Sequence, residues 1–327
     1  MEVHTKIQTL ILSHPTMLLI LLFAVISSQL LFSINGEYSF SDARKRFQNT
    51  VLVVKYNFKA SPGPVLLHLH MWSKVFVNQL IYLPWEEAEC AEFNAKNLQV
   101  NGSISVISKL ETEAVGFFAY EVVTLAMKSH PNYEGYLFAH DDMAMNISAL
   151  IDLDLKSAWM SDWIGAGSCR DLEQGWRNNT HGWWWDGQFG SPAIDAFLVN
   201  NTVIAAEMKN ALGTNYKWCA EQSDFFYLPN SLKDTFVRVM TPMAASKIFL
   251  EIAVPTFWLV YVPPEKYVRV LLCSTFNIET RRNASTLYAH YEQKCGDKFP
   301  LFHPIKLSSK SNVAGMKKKM GLTVGNS

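Results

Sequence analysis

Two adjacent carboxylates, Asp141 and Asp142, are the residues of this sequence whose type and position best suit chemistry. They follow a short apolar run, residues 136–139, which turn-forming residues precede. An apolar run bounded by turn signals predicts a strand buried on both faces. Ligands bind just beyond the carboxyl ends of such strands, and two carboxylates there can hold a divalent cation and, through it, a diphosphate. The alternative is that the pair caps a turn or a helix start.

Asp152 and Asp154 form a second acidic candidate, with a literal Asp-x-Asp spacing. Around them apolar and polar residues alternate, which predicts a half-exposed strand or an irregular segment. The order of a buried strand followed by acids fits Asp141 and Asp142 better. Asp152 and Asp154 are therefore our second choice for a metal site.

Glu251 and Asp224 are candidates for acid–base work. Glu251 lies within the apolar run 248–254. A buried carboxylate is costly unless it is paired or functional, and burial raises the pKa of such a group toward that of a general base. Alternatively, Glu251 lies on the exposed face of an amphipathic helix or caps a turn before Pro255. Asp224 precedes the aromatic run 225–227 and is the second candidate.

An aromatic, glycine-rich region contains Trp183, Trp184, Trp185 and Asp186. Aromatic rings stack on the CH-rich faces of sugars, so this region is a candidate for acceptor binding. It can equally be a loop that its rings hold against the core.

The elements around these residues predict an α/β fold. Strands are expected at 51–58, 79–83, 103–107 and 136–139, with helices at 66–76 and 113–129. Strands that alternate with helices form βαβ units, whose expected product is a parallel sheet.

Composition narrows the class of protein. Hydrophobic residues make up 49% of the 327 residues and charged residues 18%, which allows a sizeable core. Lys plus Arg equals Asp plus Glu, at 29 each, so the charge balance gives no reason to expect a nucleic-acid partner.

The N-terminus predicts a membrane anchor. Residues 15–34 form an apolar stretch without charge, after a short tail at 1–14. About 20 apolar residues suffice to cross a hydrocarbon core of roughly 30 Å as a helix. A cleaved signal peptide is the alternative, with small residues near position 28, and it implies secretion. Residues 35–49 then form a polar stem, and 306–327 a disordered tail.

Sequons and cysteines favour a lumenal or extracellular location. We expect glycans at four asparagines, and doubt a fifth sequon, at Asn146, because a glycan there would crowd the acidic pair. The four are Asn101, Asn178, Asn200 and Asn283. The five cysteines allow two disulfides and one free thiol in an oxidising compartment. Spacing alone does not decide the pairing; Cys273 with Cys295 and Cys169 with Cys219 are the pairs we consider.

Four segments together resemble a eukaryotic glycosyltransferase-like family, akin to exostosin-type and STELLO-type proteins. They are Val51-Leu-Val-Val-Lys-Tyr-Asn-Phe, Gly-Tyr-Leu-Phe-Ala-His-Asp-Asp at 135–142, Ser-Asp-Phe-Phe-Tyr-Leu-Pro at 223–229 and Phe-Leu-Glu-Ile-Ala-Val-Pro at 249–255. The resemblance implies a Golgi type II membrane protein whose lumenal domain, residues 50–305, has a GT-A-like (Rossmann-like) mixed sheet with flanking helices.

The resemblance also implies a function. Asp141 and Asp142 would bind Mn²⁺, or another divalent cation, and the diphosphate of a nucleotide sugar. Glu251, or Asp224, would act near the glycan or glycoprotein acceptor. The sequence departs from the Asp-x-Asp pattern because Met143 stands where the second acid would be. A non-catalytic lumenal protein of the same fold, which binds glycan or assists a partner enzyme, is the competing hypothesis.

Overall fold

The computed structural model describes residues 39–57, 60–98, 103–109, 117–161, 169–171, 190–213, 217–274, 287–296, 299–306 and 310–319. From Phe40 onward they form one compact unit. The apolar segment 15–34 lies outside them. Within the described ranges, no helix has both the length and the apolar character that a membrane span requires.

A seven-stranded sheet forms the centre of this unit. The strands in chain order are β1 (Thr50–Lys55), β2 (Asn78–Leu83), β3 (Ser103–Ser108), β4 (Gly135–His140), β5 (Ala144–Met145), β6 (Ala158–Ser161), β7 (Cys169–Asp171), β8 (Lys217–Cys219), β9 (Phe225–Pro229), β10 (Tyr267–Val270), β11 (Leu272–Ser274) and β12 (Leu301–His303). The spatial order of the central sheet is β10-β6-β9-β4-β1-β2-β3. β9 is antiparallel to both neighbours and the other pairs are parallel.

Helices cover both faces of this sheet. In chain order they are α1 (Phe40–Arg46), α2 (Pro62–Trp72), α3 (Glu87–Asn97), α4 (Tyr120–Ser129), α5 (Ile147–Leu150), α6 (Ser191–Asn200), α7 (Thr202–Leu212), α8 (Lys233–Ala245), α9 (Leu250–Tyr261), α10 (Leu287–Cys295) and α11 (Lys310–Lys319). Successive side chains of a strand point to opposite faces. Accordingly, Leu52 and Val54 of β1 join the hydrophobic cluster of α1, α2, α3 and α10, while Val51 and Val53 join that of α4 and α6–α9.

Two small sheets and two disulfides complete the unit. β12 pairs in parallel with β11 and antiparallel with β5, and β7 pairs with β8. Disulfides join Cys169 to Cys219 and Cys273 to Cys295, so both pairings considered from the sequence are confirmed, and Cys90 is a free, buried thiol.

The predicted α/β class is confirmed, and the central sheet is mostly parallel. Some predicted bounds were wrong, since β1 ends at Lys55, α2 ends at Trp72 and α4 begins only at Tyr120. Two further details differ from the sequence prediction. β9 runs antiparallel, which an apolar run alone does not reveal. Residues 310–319, assigned to a disordered tail, form α11, because Met316 packs into the core and Gly315 lies against the ring of Tyr288.

Candidate functional site

The acidic pair lies where the order of the strands reverses. From β1 the chain adds β2 and β3 on one side and then returns to place β4 on the other. Lys55 and His140, the last residues of β1 and β4, are register partners. Such reversal points are where open α/β sheets bind ligands. Asp141 and Asp142 follow β4 in a turn closed by a hydrogen bond from Met143 N to His140 O, of 3.1 Å.

Asp142 is held by two basic side chains. It is 4% exposed, and one carboxylate oxygen, Oδ2, accepts a hydrogen bond from the Lys306 ammonium. His303 Nε2 lies 3.2 Å from the other oxygen, Oδ1. Burial alone would raise the pKa of Asp142, but His303, Lys306 and His140 hold it well below its usual range. Asp142 is therefore a buried carboxylate with its charge already paired.

The pKa of Asp141 is shifted in the opposite direction to that of Asp142. Its backbone N–H donates to Lys55 O at 3.2 Å, and the residue is half-buried. Burial, followed by the charge of Asp142, raises the pKa of Asp141 to about 7, against the opposing effect of Lys306. The pKa values of the two neighbouring carboxyl groups are thus shifted in opposite directions.

Asp224 joins the pair from the antiparallel strand. It directly precedes β9, and its carbonyl accepts the His140 N–H at 3.0 Å. One of its oxygens lies 3.6 Å from His140 Nε2, and the other 3.6 Å from His303 Nδ1. Burial lowers the pKa of His140, whereas Asp224 and Asp142 overcome the effect of burial and raise that of His303. The Gln222 amide nitrogen, 2.6 Å from His303 Nδ1, fixes that ring from the other side.

The segment carrying His303 and Lys306 is anchored along its length. Antiparallel pairing of β12 with β5 brings it beside the acidic turn. Tyr291 of α10 donates its hydroxyl to His303 O at 2.6 Å, and Ile305 N donates to Asp142 O at 2.6 Å. Asn312 of α11 donates to Lys306 O at 3.0 Å. The two basic side chains therefore start from fixed backbone positions.

The arrangement does not fit a divalent cation at Asp142. The described residues contain no group of three His, Cys, Asp or Glu side chains placed to hold a metal ion. Lys306 and His303 face the two oxygens that a cation would need. Several other buried polar atoms still lack a hydrogen-bond partner among the described residues, namely Asn57 Oδ1, both ring nitrogens of His140 and Gln222 Oε1. Buried polar atoms without a partner are uncommon in folded proteins.

A cavity of about 670 Å³ opens at the same edge of the sheet. Its walls come from the chain after β1, at residues 60–62, and from α3. Trp85, Phe93 and Leu66 are its apolar lining, and Glu89, Glu92 and Lys96 its charged lining. The Trp85 indole N–H donates to Ala60 O at 2.9 Å, which holds one wall against the other.

The structure also places the other predicted residues. Glu251 lies in the first turn of α9. Its backbone carbonyl accepts a hydrogen bond of 2.9 Å from the backbone N–H of Glu221, which is three residues before Asp224. Asp154 accepts hydrogen bonds from Lys156 N at 3.0 Å and Ser157 Oγ at 2.9 Å, so it stabilises an exposed turn. Trp183, Trp184, Trp185 and Asp186 lie outside the described residues, as do Asn101, Asn178 and Asn283. Asn200 is exposed at the end of α6.

Sequence reasoning missed His140, His303, Lys306 and Gln222. His303 and Lys306 lie more than 160 residues from Asp142 in the sequence. Lys306 is also the first residue of the segment 306–327, which was predicted to be a disordered tail. The available signal was local: two basic residues, in His303-Pro-Ile-Lys306, follow the buried run Leu301-Phe302. Basic residues at the end of a buried strand are as informative as acidic ones.

Comparison with known proteins gives one distant relative. The chain is similar to a protein named "Probable glycosyltransferase STELLO1" from Arabidopsis thaliana, with 23% identity over 196 residues, 57% of this chain. The chain spans only 23% of that protein's length. A crystal structure of a mycobacterial protein overlaps 65% of this chain and 80% of its own at 9% identity, and its TM-score of 0.27 does not indicate a shared fold. No family model matches the chain. The comparisons thus support a glycosyltransferase-like relationship at most.

Proposed function

We propose that this chain is a glycosyltransferase that moves a sugar from a nucleotide sugar to a glycan or glycoprotein acceptor. The observation that carries the proposal is the cluster of Asp141, Asp142, Asp224, His303 and Lys306 at the reversal point of the sheet. The distant similarity to a probable glycosyltransferase supports the same reaction class. A mixed sheet with one antiparallel strand beside the acidic turn is consistent with the GT-A-like fold that we propose for it.

The donor is proposed to lie along the carboxyl edge of the sheet. The cavity beside Trp85 is within the size range of pockets that enclose small ligands, about 300–1,000 Å³. Its aromatic lining suits a nucleoside, whose flat base packs against rings. The diphosphate and sugar would then extend past the end of β1 toward the acidic turn, where the unsatisfied polar atoms lie.

Asp224 is our proposed base for the acceptor hydroxyl. The sequence ranked Glu251 first and Asp224 second, but it is Asp224 that His303 and His140 join to the acidic turn. A carboxylate between two imidazoles can accept the proton of a hydroxyl as that oxygen attacks the sugar. Glu251 remains a candidate for orienting the acceptor, since its backbone contacts the segment leading to Asp224.

A binding panel tests this proposal. The full chain is titrated with UDP- and GDP-sugars, each in Mn²⁺ and in EDTA, while release of UDP or GDP in the presence of glycan acceptors reports transfer. At least one donor should bind, and Asp224→Asn should retain donor binding while transfer falls by about 10²–10⁴-fold. If no nucleotide sugar binds in either condition, the proposal fails. Glycan binding without donor binding would favour the non-catalytic hypothesis.

The sequence predictions of a Golgi or ER membrane location, a type II anchor and a manganese requirement stay predictions. The binding panel addresses the metal through its EDTA arm. Sequencing the N-terminus of the mature protein addresses the anchor, because a start near residue 28 means cleavage and a start at Met1 or Glu2 means retention.

A further inference from the structure

We propose that Lys306 binds the diphosphate of the donor and supplies the positive charge that a metal ion would otherwise bring to this site. The inference rests on the proposed function and adds a binding residue to it. The sequence predicted a metal ion at Asp141 and Asp142, whereas in the structure the ammonium of Lys306 contacts Asp142.

Lys306 is placed to serve both Asp142 and a ligand. Its ammonium donates to Asp142 Oδ2, yet its side chain remains 44% exposed while that of Asp142 is 6% exposed. The carboxylate is thus covered, while part of the Lys306 side chain is open to solvent. An ammonium carries three N–H donors, and phosphate oxygens are among its strongest acceptors.

The position of Lys306 is fixed by the fold and not by Asp142 alone. The Lys306 carbonyl is held by Asn312, a fully buried side chain that also accepts the Tyr288 N–H at 3.2 Å. The neighbouring Ile305 N–H is held by Asp142 O. A charge preset in this way needs little rearrangement when negative charge develops beside it. A surface lysine without such anchors would have to be ordered first.

The local charges favour a lysine over an additional divalent cation. Lys55 is fully buried at the end of β1, where its register partner is His140, the residue before the acidic pair. A divalent ion at Asp142 would meet the ammonium of Lys306, and like charges in contact repel. Asp142 therefore already has a cation beside it without metal, the ammonium of Lys306.

The proposed transfer is a substitution at the anomeric carbon of the donor sugar. The bond between the anomeric carbon and the donor's phosphate oxygen breaks, and its electron pair stays on that oxygen. The acceptor hydroxyl oxygen forms the new bond to the anomeric carbon, and its proton passes to Asp224. The ammonium of Lys306 stabilises the negative charge that develops on the departing diphosphate, and it neither gains nor loses a proton.

Titration with inorganic pyrophosphate and with UDP in EDTA tests this assignment on the full chain. Wild-type protein should bind both. Lys306→Gln and Lys306→Met should each weaken binding by about tenfold or more, the effect of losing one charge-assisted hydrogen bond. Lys306→Arg should keep most of the affinity. Lys310→Gln removes an exposed lysine at the start of α11 and is the matched control, with affinity expected to stay at the wild-type value.

Melting temperatures of all four variants show whether each is folded, and the two neutral variants must agree. Binding that needs Mn²⁺, together with unchanged or tighter binding by Lys306→Gln and Lys306→Met, would overturn the role of Lys306 and leave the proposed glycosyltransferase intact. Absence of any nucleotide-sugar binding, in Mn²⁺ or EDTA, would instead remove the proposed function and this inference with it.

Discussion

The phenol of Tyr227 lies directly against the α-carbon of Gly135. A Cβ built at Gly135 would overlap the hydroxyl and the ring of Tyr227. Tyr227 is fully buried in β9, the neighbouring antiparallel strand, and its hydroxyl donates to Leu155 O at 2.9 Å. Gly135 is therefore needed for the close approach of the Tyr227 phenol to β4.

Replacing Gly135 should destabilise the fold. We expect Gly135→Ala to lower the free energy of unfolding by about 1–3 kcal/mol, as overpacking in a tight core does. Gly63→Ala is the matched control, because nothing lies within 4 Å of a Cβ there and Gly63 is in α2. Alanine suits a helix better than glycine, so the control should be neutral or stabilising. Denaturant unfolding of both variants measures the difference, and equal stabilities would contradict the close approach.

His68 should make stability fall in acid. It is buried in α2, 2.9 Å from the Tyr56 hydroxyl, and burial lowers its pKa to about 3. The unfolded chain takes up a proton at this histidine near pH 6.5, while the folded one does not until about pH 3. Its contribution to stability is therefore complete above pH 6.5 and declines between these limits, by up to about 1.4 kcal/mol per pH unit.

Urea unfolding from pH 7 to pH 4 measures this slope. His68→Gln should flatten it, since glutamine does not titrate. His70→Gln removes an exposed histidine from the same helix and should leave the wild-type slope. A slope that His68→Gln leaves unchanged would show that other groups cause the acid sensitivity.

The five cysteines should form two disulfide bonds and leave one thiol, Cys90, that reacts slowly with alkylating reagents. Burial, with the charges of Glu89 and Glu87, raises the pKa of Cys90 to about 11. A protonated, buried thiol reacts slowly. Mass spectrometry after alkylation should find one modified cysteine in denatured, unreduced protein and five after reduction, with little reaction in the native state. Three or more modified cysteines before reduction would contradict the pairing.

Asn312 should stabilise the segment that carries Lys306. It accepts the Tyr288 N–H and donates to Lys306 O. Asn312→Ala removes both of these hydrogen bonds, at about 0.5–1.5 kcal/mol for each. Asn230→Ala, at an exposed position, is the control and should change stability little. Thermal unfolding compares them, and pyrophosphate titration should show weaker binding for Asn312→Ala alone.

Asn200 should carry a glycan if the chain enters the secretory pathway. Its sequon is exposed at the junction of α6 and α7. Asn200→Gln should remove one glycosidase-sensitive mobility step from protein made in eukaryotic cells. Asn146→Gln should not, because Asn146 is half-buried and its backbone N–H is bound to Pro300 O beside the acidic turn. A glycan at Asn146 would contradict the placement of β12.

The sequence predicted those features that depend on neighbouring residues. β1 and β4 are centred on apolar runs, and the structure buries all six positions of each, so their type could be predicted. The bounds of β4 were also close, whereas β1 ends at Lys55 and not at the predicted residue 58. The acidic turn after β4 followed from the same pattern. Met143 departs from Asp-x-Asp because it is fully buried in the core, where a carboxylate would be costly.

Features that depend on distant residues could not be predicted in the same way. The direction of β9 is set by its pairing with β4 and β6, and the pairing of Asp142 with Lys306 depends on β12 meeting β5. Neither contact leaves a local pattern. Asp152 and Asp154 show the converse, since a literal Asp-x-Asp spacing includes an aspartate that only stabilises a turn.

The separation of 164 residues between Asp142 and Lys306 bears on how the protein is made. The acidic turn leaves the ribosome long before the basic residues that neutralise it. During synthesis Asp142 has no Lys306 or His303, so the core around it closes only after α11 has been translated. Premature stop codons near residue 300 should therefore yield chains that retain most of the central sheet but lack β12. In these chains β5, β11 and the acidic turn would be exposed, and we expect chaperones to bind them and proteases to degrade them.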